Sequence, residues 1–388
     1  MSCVLHRNVT SFSFFCAVDI KPKQNKTTMK RLLLALLATG LALTGQAQVR
    51  NEIHVPDLGG YTTLKCDFHM HTVYSDGRVW PTVRVDEAWR EGLDAIALTE
   101  HIEYRPHKDV TGHHGRSYEI AEEAARKSGI LLIRGSEITR SMAPGHFNAI
   151  FLADCNPLDQ KDWHDSFGEA DKQDAFIFWN HPGWDSQQPD TTLWWDEHTE
   201  IYDNGWMDGI EVANGIDYFP EAHRWCLEKG LTMLGNSDVH NPIGMDFDFY
   251  KGEHRVMTLV LASERSLAGI REALDNRRTI VWIRDLLIGE EKWLHELFEK
   301  SVQVVDVQRG EGSCTITLQN TSDFPFHLKK TEHDKSFEYF RTYTIEPQSR
   351  HTIRVRFPKD YRGEGKINFR VTNLLVQPGQ GMDYSYTF

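Results

Sequence analysis

Short apolar runs alternate with longer amphipathic segments between residues 64 and 284. Apolar runs of this length, bounded by turn residues, are typical of buried strands. The runs are LKCDF, DAIALT, ILLIRG, FNAIFLA, AFIFWN, GIEVAN and LTMLGN. The segments PTVRVDEAWREG, SYEIAEEAARKSG, FPEAHRWCLEKG and SLAGIREALDN have apolar residues at helical spacing and end in Gly or Asn, which favours helices. Strand–helix alternation predicts a parallel α/β architecture, either a barrel or an open sheet.

The pattern changes near residue 300. The segments SVQVVDVQ, SCTITLQN, HTIRVRF and KINFRVTN alternate apolar and polar residues, and turn residues separate them. No helical pattern lies between these segments, so they predict a small antiparallel β-sandwich. The amphipathic segment EEKWLHELFEK is interpreted as a helix that bridges the two parts. We therefore expect one α/β domain over residues 48–300 and an accessory β-sandwich domain over residues 301–388.

The first 47 residues have the pattern of a leader that is not part of the fold. Met29 and two basic residues precede the apolar run LLLALLATGLAL, and small residues follow at Gly45 and Ala47. This order is typical of a secretory signal peptide cleaved after Ala47, and the run is too short to span a bilayer. Residues 1–28 then read as an over-long start. We expect a periplasmic or secreted protein without a membrane span.

Charge and cysteine content narrow the choice of partners. The formal net charge is −13, and removal of the basic leader would make it more negative. An acidic chain disfavours nucleic-acid polymers, because contacts to phosphates need Lys and Arg. The cysteines beyond the leader are Cys66, Cys155, Cys226 and Cys314, and they are far apart in the sequence. Their spacing indicates neither a cysteine-based metal site nor a disulfide framework.

Two histidines stand one residue apart at the end of the first apolar run. Successive side chains on a strand point to opposite faces of the sheet. His69 and His71 would therefore project together from the tip of a strand that ends near residue 70. Two adjacent imidazoles can share one metal ion. Taken alone, the pair could equally be two surface histidines at the end of a strand.

Acidic residues and histidines also stand at the ends of the other apolar runs. Glu137 follows the third run, His181 the fifth, and Asp238 with His240 the seventh. In α/β barrels the carboxyl edge of the strands holds the chemistry. The candidate metal ligands are His69, His71, Asp76, His101, Glu137, His146, His181, Asp238 and His240. A ligand set of His, Asp and Glu without Cys favours Zn, Mn or Fe.

The motifs DFHMHTVYSDG, TEH, GSEIT, GHFN, NHPG and GNSDVH stand in the order found in the PHP family, named for polymerase and histidinol phosphatase members. The chain resembles this family from residue 64 to about residue 284. The resemblance implies a distorted (βα)7 barrel that holds two to three divalent metal ions. It assigns His69, His71, Glu137 and Asp238 to the first metal, Glu137, His146 and His181 to the second, and Asp76, His101 and His240 to the third. Glu137 would then bridge the first two ions.

The resemblance extends to secreted PHP proteins with a β-rich C-terminal extension, some of which are phosphodiesterases. It implies a secreted hydrolase that cleaves phosphodiester bonds of a small substrate with a water activated at a trinuclear site. The residues given catalytic roles are Glu137, Asp76, His101 and His240. The alternatives are a phosphomonoesterase of the histidinol-phosphatase kind and a metal-binding accessory protein without turnover. An amidohydrolase is disfavoured, because that superfamily typically bridges its metals with a lysine.

Two further segments are candidates for substrate binding. The loop EYRPHKDVTGHHGRS follows the His101 strand end and is basic in an otherwise acidic chain. Its residues Arg105, His107, Lys108, His114 and Arg116 are predicted to hold phosphate oxygens, although a basic loop can also be merely solvated. The second segment is rich in tryptophan, and Trp184 is predicted to line the pocket. The other tryptophans considered for the pocket wall or for core packing are Trp179, Trp194, Trp195 and Trp206.

Overall fold

The computed structural model describes residues 49–331 and 336–388. The signal peptide predicted over residues 1–47 lies outside the described residues. Residues 50–388 form one compact unit. Within the described ranges, no helix is both long enough and apolar enough to pass through a bilayer.

The first part of the unit contains the alternating elements that the sequence predicts. Its strands are β1 (Thr62–Asp67), β2 (Ala95–Leu98), β3 (Leu131–Thr139), β4 (His146–Ile150), β5 (Phe176–Trp179), β6 (Gly209–Asn214), β7 (Asp217–Tyr218), β8 (Thr232–Asn236), β9 (Met257–Ala262), β10 (Thr279–Ile283) and β11 (Leu286–Gly289). Its α-helices are Pro81–Glu91, Lys108–Thr111, Arg116–Ser128, Trp163–Asp171, Asp196–Asp203, Pro220–Lys229, Ile243–Asp246, Leu267–Asp275 and Glu291–Ser301, with 3-10 turns at Asn156–Leu158 and Phe249–Lys251. Each of the seven apolar runs overlaps one of these strands.

The helix Pro81–Glu91 shows how local sequence sets the element boundaries. Proline at the first helical position has the φ that a helix needs, and its missing N–H would have no partner there in any case. The helix ends at Gly92, whose φ of 90° is left-handed. Val85 and Ala88 lie on its buried face.

The strands follow each other around a barrel in the order β9, β1, β2, β3, β4, β5, β6 and β8. Side chains close the gap between β8 and β9. The hydroxyl of Thr258 accepts from the Gly235 N–H and donates to the Gly235 carbonyl, both at 2.9 Å. A Cβ at Gly235 would lie 2.3 Å from a methyl carbon of Val281, so the close approach requires glycine.

The barrel sheet is mostly parallel, but β9 runs antiparallel to β1. β4 also runs antiparallel to both of its neighbours, β3 and β5. Residues 140–145 separate β3 from β4, and a parallel pair needs a crossover of about a dozen residues or more. The short connection can make only a hairpin, which places His146 at the same edge as the ends of the parallel strands.

The second part of the unit is a β-sandwich. Its strands are β12 (Val302–Gly310), β13 (Ser313–Asn320), β14 (Phe326–Lys330), β15 (Thr342–Ile345), β16 (Arg350–Arg356), β17 (Lys366–Gln377) and β18 (Gln380–Thr387). One sheet has the order β12-β13-β16, and the other contains β15, β14, β17 and β18. The predicted α/β barrel with a small C-terminal antiparallel β-sandwich is confirmed.

The barrel and the sandwich share a sheet, which periodicity did not predict. β17 pairs in parallel with β11 of the barrel part, with Leu287 opposite Leu374. The helix Glu291–Ser301 packs over this junction, where the Phe298 ring lies 5.1 Å from that of Phe326. One continuous apolar core therefore extends through both parts.

Candidate metal centre

The ends of β1 and β8 are joined by backbone hydrogen bonds, which brings their polar residues together. The Asp238 N–H donates to the His69 carbonyl at 2.9 Å, and the His71 N–H donates to the Val239 carbonyl at 3.0 Å. Asp238 has a φ of 53° and His181, after β5, has a φ of 28°. Positive φ in residues other than glycine is costly and clusters at functional sites.

Three side chains from these ends converge on one point. The Nε2 atoms of His69 and His71 lie 3.1 Å and 3.2 Å from Asp238 Oδ1. His71 Nε2 also lies 3.5 Å from Glu137 Oε2. These are the four residues that the family resemblance assigns to the first metal.

Glu137, at the end of β3, is the centre of the site. Its side chain is fully buried, and Oε1 lies 3.0 Å from His146 Nδ1 and 3.7 Å from His181 Nε2. On its other side, Oε2 lies 2.6 Å from His101 Nδ1. The carboxylate thus stands between two groups of imidazoles, as a bridging ligand would.

Asp76 holds the third group together. Its Oδ1 lies 3.2 Å from His240 Nε2 and 3.4 Å from His101 Nε2. A Cβ at Gly77 would lie 2.6 Å from the carbonyl oxygen of His71, so the turn that presents Asp76 needs glycine there. The structure therefore brings all nine predicted ligands into one cluster, although their roles as ligands stay a prediction.

The residues fit a set of divalent cations. Their nitrogen and oxygen atoms form four overlapping groups in which all ligand atoms lie within 4.8 Å of one another. Four of these atoms are buried without a hydrogen bond of acceptable geometry, although another ligand atom lies only 2.6–3.2 Å from each: Asp76 Oδ1, Glu137 Oε2, His146 Nδ1 and Asp238 Oδ1. Buried polar atoms without partners are costly, and coordination to a cation would satisfy them.

Burial and neighbouring charges set the protonation of the cluster. Burial alone would raise the pKa of Glu137, but the imidazoles of His101 and His146 hold this pKa well below its usual range. Burial, together with His101 and His240, lowers the pKa of His71 to about 3. Glu137 is therefore ionised, and His71 is a neutral imidazole with a free lone pair, which is the form that binds a metal.

His101 carries a proton that a metal must displace. Burial would lower the pKa of His101, but Glu137 and Asp76 raise it to about 10. A protonated imidazole has no lone pair for a cation, so metal binding at this position must release a proton.

Glu211 on β6 supports the cluster, and it was not among the site residues predicted from the sequence. Its side chain is fully buried, and Oε1 accepts from His69 Nδ1 at 2.9 Å. Its Oε2 accepts the backbone N–H of His181 at 2.7 Å. A carboxylate on the far nitrogen of a ligating histidine fixes the ring and raises its basicity. The run GIEVAN carries a buried acid on an otherwise apolar strand, and this was the available signal.

Arg84 also supports the cluster, from the helix Pro81–Glu91. Its guanidinium is fully buried and donates to the carbonyls of His71, Val239 and Asn241 at 2.8–3.0 Å. These carbonyls belong to the two segments that carry His71 and His240. Glu87 pairs with the same guanidinium at 2.7 Å and neutralises it. The sequence gives no warning of this role, because an arginine on an amphipathic helix is usually exposed.

The cluster lines a cavity of about 490 Å³. Its other walls include Tyr104, Trp184, Phe219 and Ile216. The indole of Trp184 is 44% exposed, and its centroid lies 5.3 Å from the His181 ring. Trp184 therefore lies where the sequence placed it, beside the site and open to a ligand.

The basic residues of the loop after His101 do not reach this cavity, although Tyr104 of the same loop lines it. Arg105 donates to carbonyls of Tyr74 and Gly112, and His114 faces Asp159 at 3.1 Å. Arg116 pairs with Glu119 at 2.8 Å. His107 and Lys108 are exposed, and none of these five predicted residues lines the cavity. Their role in substrate binding stays a prediction without structural support.

The remaining tryptophans lie away from the cavity. Trp179 is fully buried, and its ring stacks 5.6 Å from that of Trp225. Trp194 packs edge-on against Trp225 at 5.3 Å. Trp195 is 43% exposed and donates to Gln188 at 3.3 Å, while Trp206 packs near Phe167. None of these four side chains lines the cavity, and Trp179, Trp194 and Trp206 pack in the apolar core.

The matches to known proteins divide the chain into the same two parts, the barrel and the β-sandwich. The profile of the PHP domain matches residues 67–203, and that of an Ig-like domain matches residues 301–387. A solved two-domain protein from Bacteroides vulgatus, described as containing a predicted PHP-like metal-dependent phosphoesterase, is 62% identical to this chain. The match has a TM-score of 0.86 and covers 88% of this chain and 100% of that protein.

Two other solved structures are more distant. One is a protein from Bifidobacterium adolescentis named for a proposed metal-dependent phosphoesterase activity, with 16% identity and a TM-score of 0.37 over 45% of this chain and 87% of that one. The other is an amidohydrolase from Chromobacterium violaceum with bound sulfate, with 19% identity and a TM-score of 0.35 over 47% of this chain and 89% of that one. Likenesses this weak do not bear on function. No curated protein matches the chain.

Proposed function

This chain belongs to the PHP family of metal-dependent phosphoesterases, and from that membership we propose that it is a phosphodiesterase with a trinuclear metal site. The observation that carries the proposal is the convergence of the nine nitrogen and oxygen ligands around Glu137. That number of ligands, divided into three groups, is more than one ion requires. The ligands favour Zn, Mn or Fe, because they contain no thiolate.

The cluster supplies what phosphate ester hydrolysis needs. When bound, divalent ions lower the pKa of a water molecule and neutralise charge on the phosphoryl oxygens. The chain holds Glu137 ionised between the imidazoles, while Glu211 and Arg84 fix the segments that carry His69 and His71. The buried side of the site keeps bulk water away, and the open side faces the cavity. No nucleophile from the protein is required.

The shape of the cavity favours a diester over a monoester. A diester keeps a substituent on each side of phosphorus, so its site needs room and apolar surface. Trp184, Tyr104 and Phe219 supply aromatic surface next to the metal ligands. Stacking of a base or ring on an aromatic side chain contributes about 1–3 kcal/mol. An aryl or nucleoside diester fits these walls better than a bare phosphate monoester does.

We propose that the protein is exported and that nucleic-acid polymers are not its substrates. The predicted signal peptide directs the protein to the periplasm or the exterior. The negative net charge of −13 repels long phosphate backbones. A small phosphate ester is therefore the proposed substrate.

Metal analysis of the purified protein, followed by steady-state kinetics with those metals, tests the proposal. Matched nitrophenyl mono- and diesters should give a higher kcat/KM for the diester. A clear preference for the monoester would support a phosphomonoesterase instead. Bound metal without turnover of either ester would support the accessory, non-catalytic alternative.

A further inference from the structure

A second cavity, of about 890 Å³, lies beside the metal centre. Gly215 and Ile216 line both cavities. They form the turn of the hairpin between β6 and β7, in which Asn214 pairs with Asp217. The hairpin turn is therefore a ridge that separates the two cavities, and a molecule extending beyond the metal site on this side must pass over it.

The ridge is firmly held but bears an uncovered apolar side chain. Asn214 donates to Glu211 Oε2 at 2.8 Å, and the Gly215 N–H donates to the Asn236 carbonyl at 3.0 Å. The turn is thereby tied to the carboxylate that orients His69. Ile216 is nevertheless 58% exposed at its crest. A ligand that crosses the ridge would bury this side chain.

The two parts of the fold build the second cavity together. The barrel part contributes Phe247, Trp282 and Arg284 to its wall. The β-sandwich contributes Pro325 and Glu346 from loops that face the barrel. The C-terminal domain thus reaches to the neighbourhood of the metal centre, although its sequence predicted only an accessory role.

Two charged groups of this wall have no partner in the described part of the chain. The guanidinium of Arg284 and the carboxylate of Glu346 make no hydrogen bond or ion pair there, whereas Asp323 pairs with His54 and Asp285 with His327. The Arg284 carbonyl accepts from Trp282 Nε1 at 2.8 Å and from His254 at 2.9 Å. Its backbone is therefore fixed while its side chain is free to bind a ligand.

We propose that this cavity binds the second substituent of the phosphodiester, and that this substituent is neutral and rich in hydroxyl groups, such as a glyceryl or glycosyl group. The inference rests on the proposed function. The carboxylates of Glu253, Asp285, Asp323 and Glu346 outnumber the cations of Lys251 and Arg284, which disfavours another anionic group. Hydroxyl groups can donate to Glu346 and accept from Arg284, and the apolar walls suit the carbon skeleton.

Two aryl phosphodiesters with the same nitrophenyl leaving group test the inference. One carries a methyl group as second substituent, and the other a glyceryl group. The wild-type kcat/KM should be higher for the glyceryl ester. Arg284→Gln and Glu346→Gln should each reduce this preference about tenfold, as loss of a hydrogen bond to a charged group would. For the methyl ester, which has no hydroxyl group to contact these side chains, kcat/KM should fall less than it does for the glyceryl ester.

Controls separate the cavity from general effects on the fold. Glu338→Gln removes an exposed carboxylate of the same domain outside the cavity, and it should leave the preference unchanged. Saturation-transfer NMR with glycerol reports binding without catalysis, and its signal should weaken in Arg284→Gln. Glycerol binding that depends on Arg284, in a protein that hydrolyses no diester, would reject the proposed function but keep the subsite. Equal kcat/KM for both esters, with no Arg284-dependent glycerol signal, would overturn the subsite.

Discussion

Two groups of histidines in this chain have opposite surroundings. The rim histidines, which are His69, His71, His101, His146, His181 and His240, face one another and three carboxylates at the carboxyl edge of the barrel. The loop histidines His107, His113 and His114 lie after the same edge but turn towards solvent or surface carboxylates. The strand ends must converge because the sheet closes, and a loop is under no such constraint. Position relative to a strand therefore predicted chemistry, and residue type alone did not.

Buried carboxylates show the same contrast. Glu137 and Asp208 are both removed from water, which penalises the charged form. Imidazoles hold the pKa of Glu137 well below its usual range. Burial raises the pKa of Asp208 to about 6, against weaker opposition from the Ile177 N–H and Arg271. The ionised Glu137 at the rim can therefore bind cations, whereas burial favours the neutral form of Asp208.

Glu137→Gln should have the largest effect. The amide keeps the shape but loses the charge that faces two groups of imidazoles, so at least one metal equivalent and most activity should be lost. We expect kcat/KM to fall by more than about a hundredfold, because even residues that only support metal ligands contribute 10–100-fold. Metal content by elemental analysis and diester kinetics measure this.

Glu103→Gln is the matched control for that variant. Its carboxylate accepts the Thr139 N–H and pairs with Arg140, beside the site but outside the ligand groups. It should keep its metals. Full metal content in Glu137→Gln would reject the bridging role.

Glu211→Gln should weaken metal binding by about 10–100-fold, because Gln cannot supply the charge that orients and polarises His69. Chelator competition measures the affinity without relying on turnover. Glu228→Gln, which removes an exposed carboxylate that pairs with Arg224 outside the cavity, is the control. An unchanged metal affinity in Glu211→Gln would reduce the carboxylate to a purely structural role.

In the wild type, ionisation of Asp208 should lower the free energy of unfolding as the pH rises, and Asp208→Asn should remove this loss. The folded-state pKa of about 6 lies above the ordinary aspartate pKa of 3.8. Asp208 therefore contributes stability below about pH 4, and the contribution is lost as the pH rises through about 6. Relative to wild type, the variant should gain on the order of 2 kcal/mol between pH 4 and pH 7. Urea denaturation at both pH values measures the difference, and a gain that does not depend on pH would contradict it.

The site residues were more predictable from the sequence than the supporting side chains and strand pairings that position them. His-x-His at the end of an apolar run and Glu137 at the end of another follow from strand geometry. Glu211 and Arg84 were missed because their partners are distant in sequence, and the only local signal was the acid in the apolar run GIEVAN. The pairing of β11 with β17 was missed for the same reason, since periodicity identifies strands but not their neighbours. The trinuclear assignment came from the family resemblance.

Trp184→Ala should raise KM for an aryl diester about tenfold, because the exposed indole beside His146 and His181 is the accessible stacking surface. Trp195→Ala is the control, since this side chain is similarly exposed but bonds to Gln188 outside the cavity. An equal effect of both variants would show that the segment acts through its fold. From the sequence, Trp195 was considered for the pocket wall as well as for core packing.

The smallest effect is expected in the basic loop, and it directly tests the contrast between the rim and the loop after His101. Lys108→Ala and Arg116→Ala remove exposed cations that do not line the cavity. KM for the diester should therefore change by less than about twofold at physiological ionic strength, because exposed charges are then screened beyond about 8 Å. Arg105→Ala should instead lower thermal stability, because its guanidinium holds the carbonyls of Tyr74 and Gly112. Steady-state kinetics at low and high salt, with thermal unfolding alongside, distinguish these outcomes. If Lys108→Ala or Arg116→Ala raised KM strongly and independently of salt, the loop would have to close over the cavity when substrate binds. The loop cations would then contact the phosphate, as the sequence first suggested.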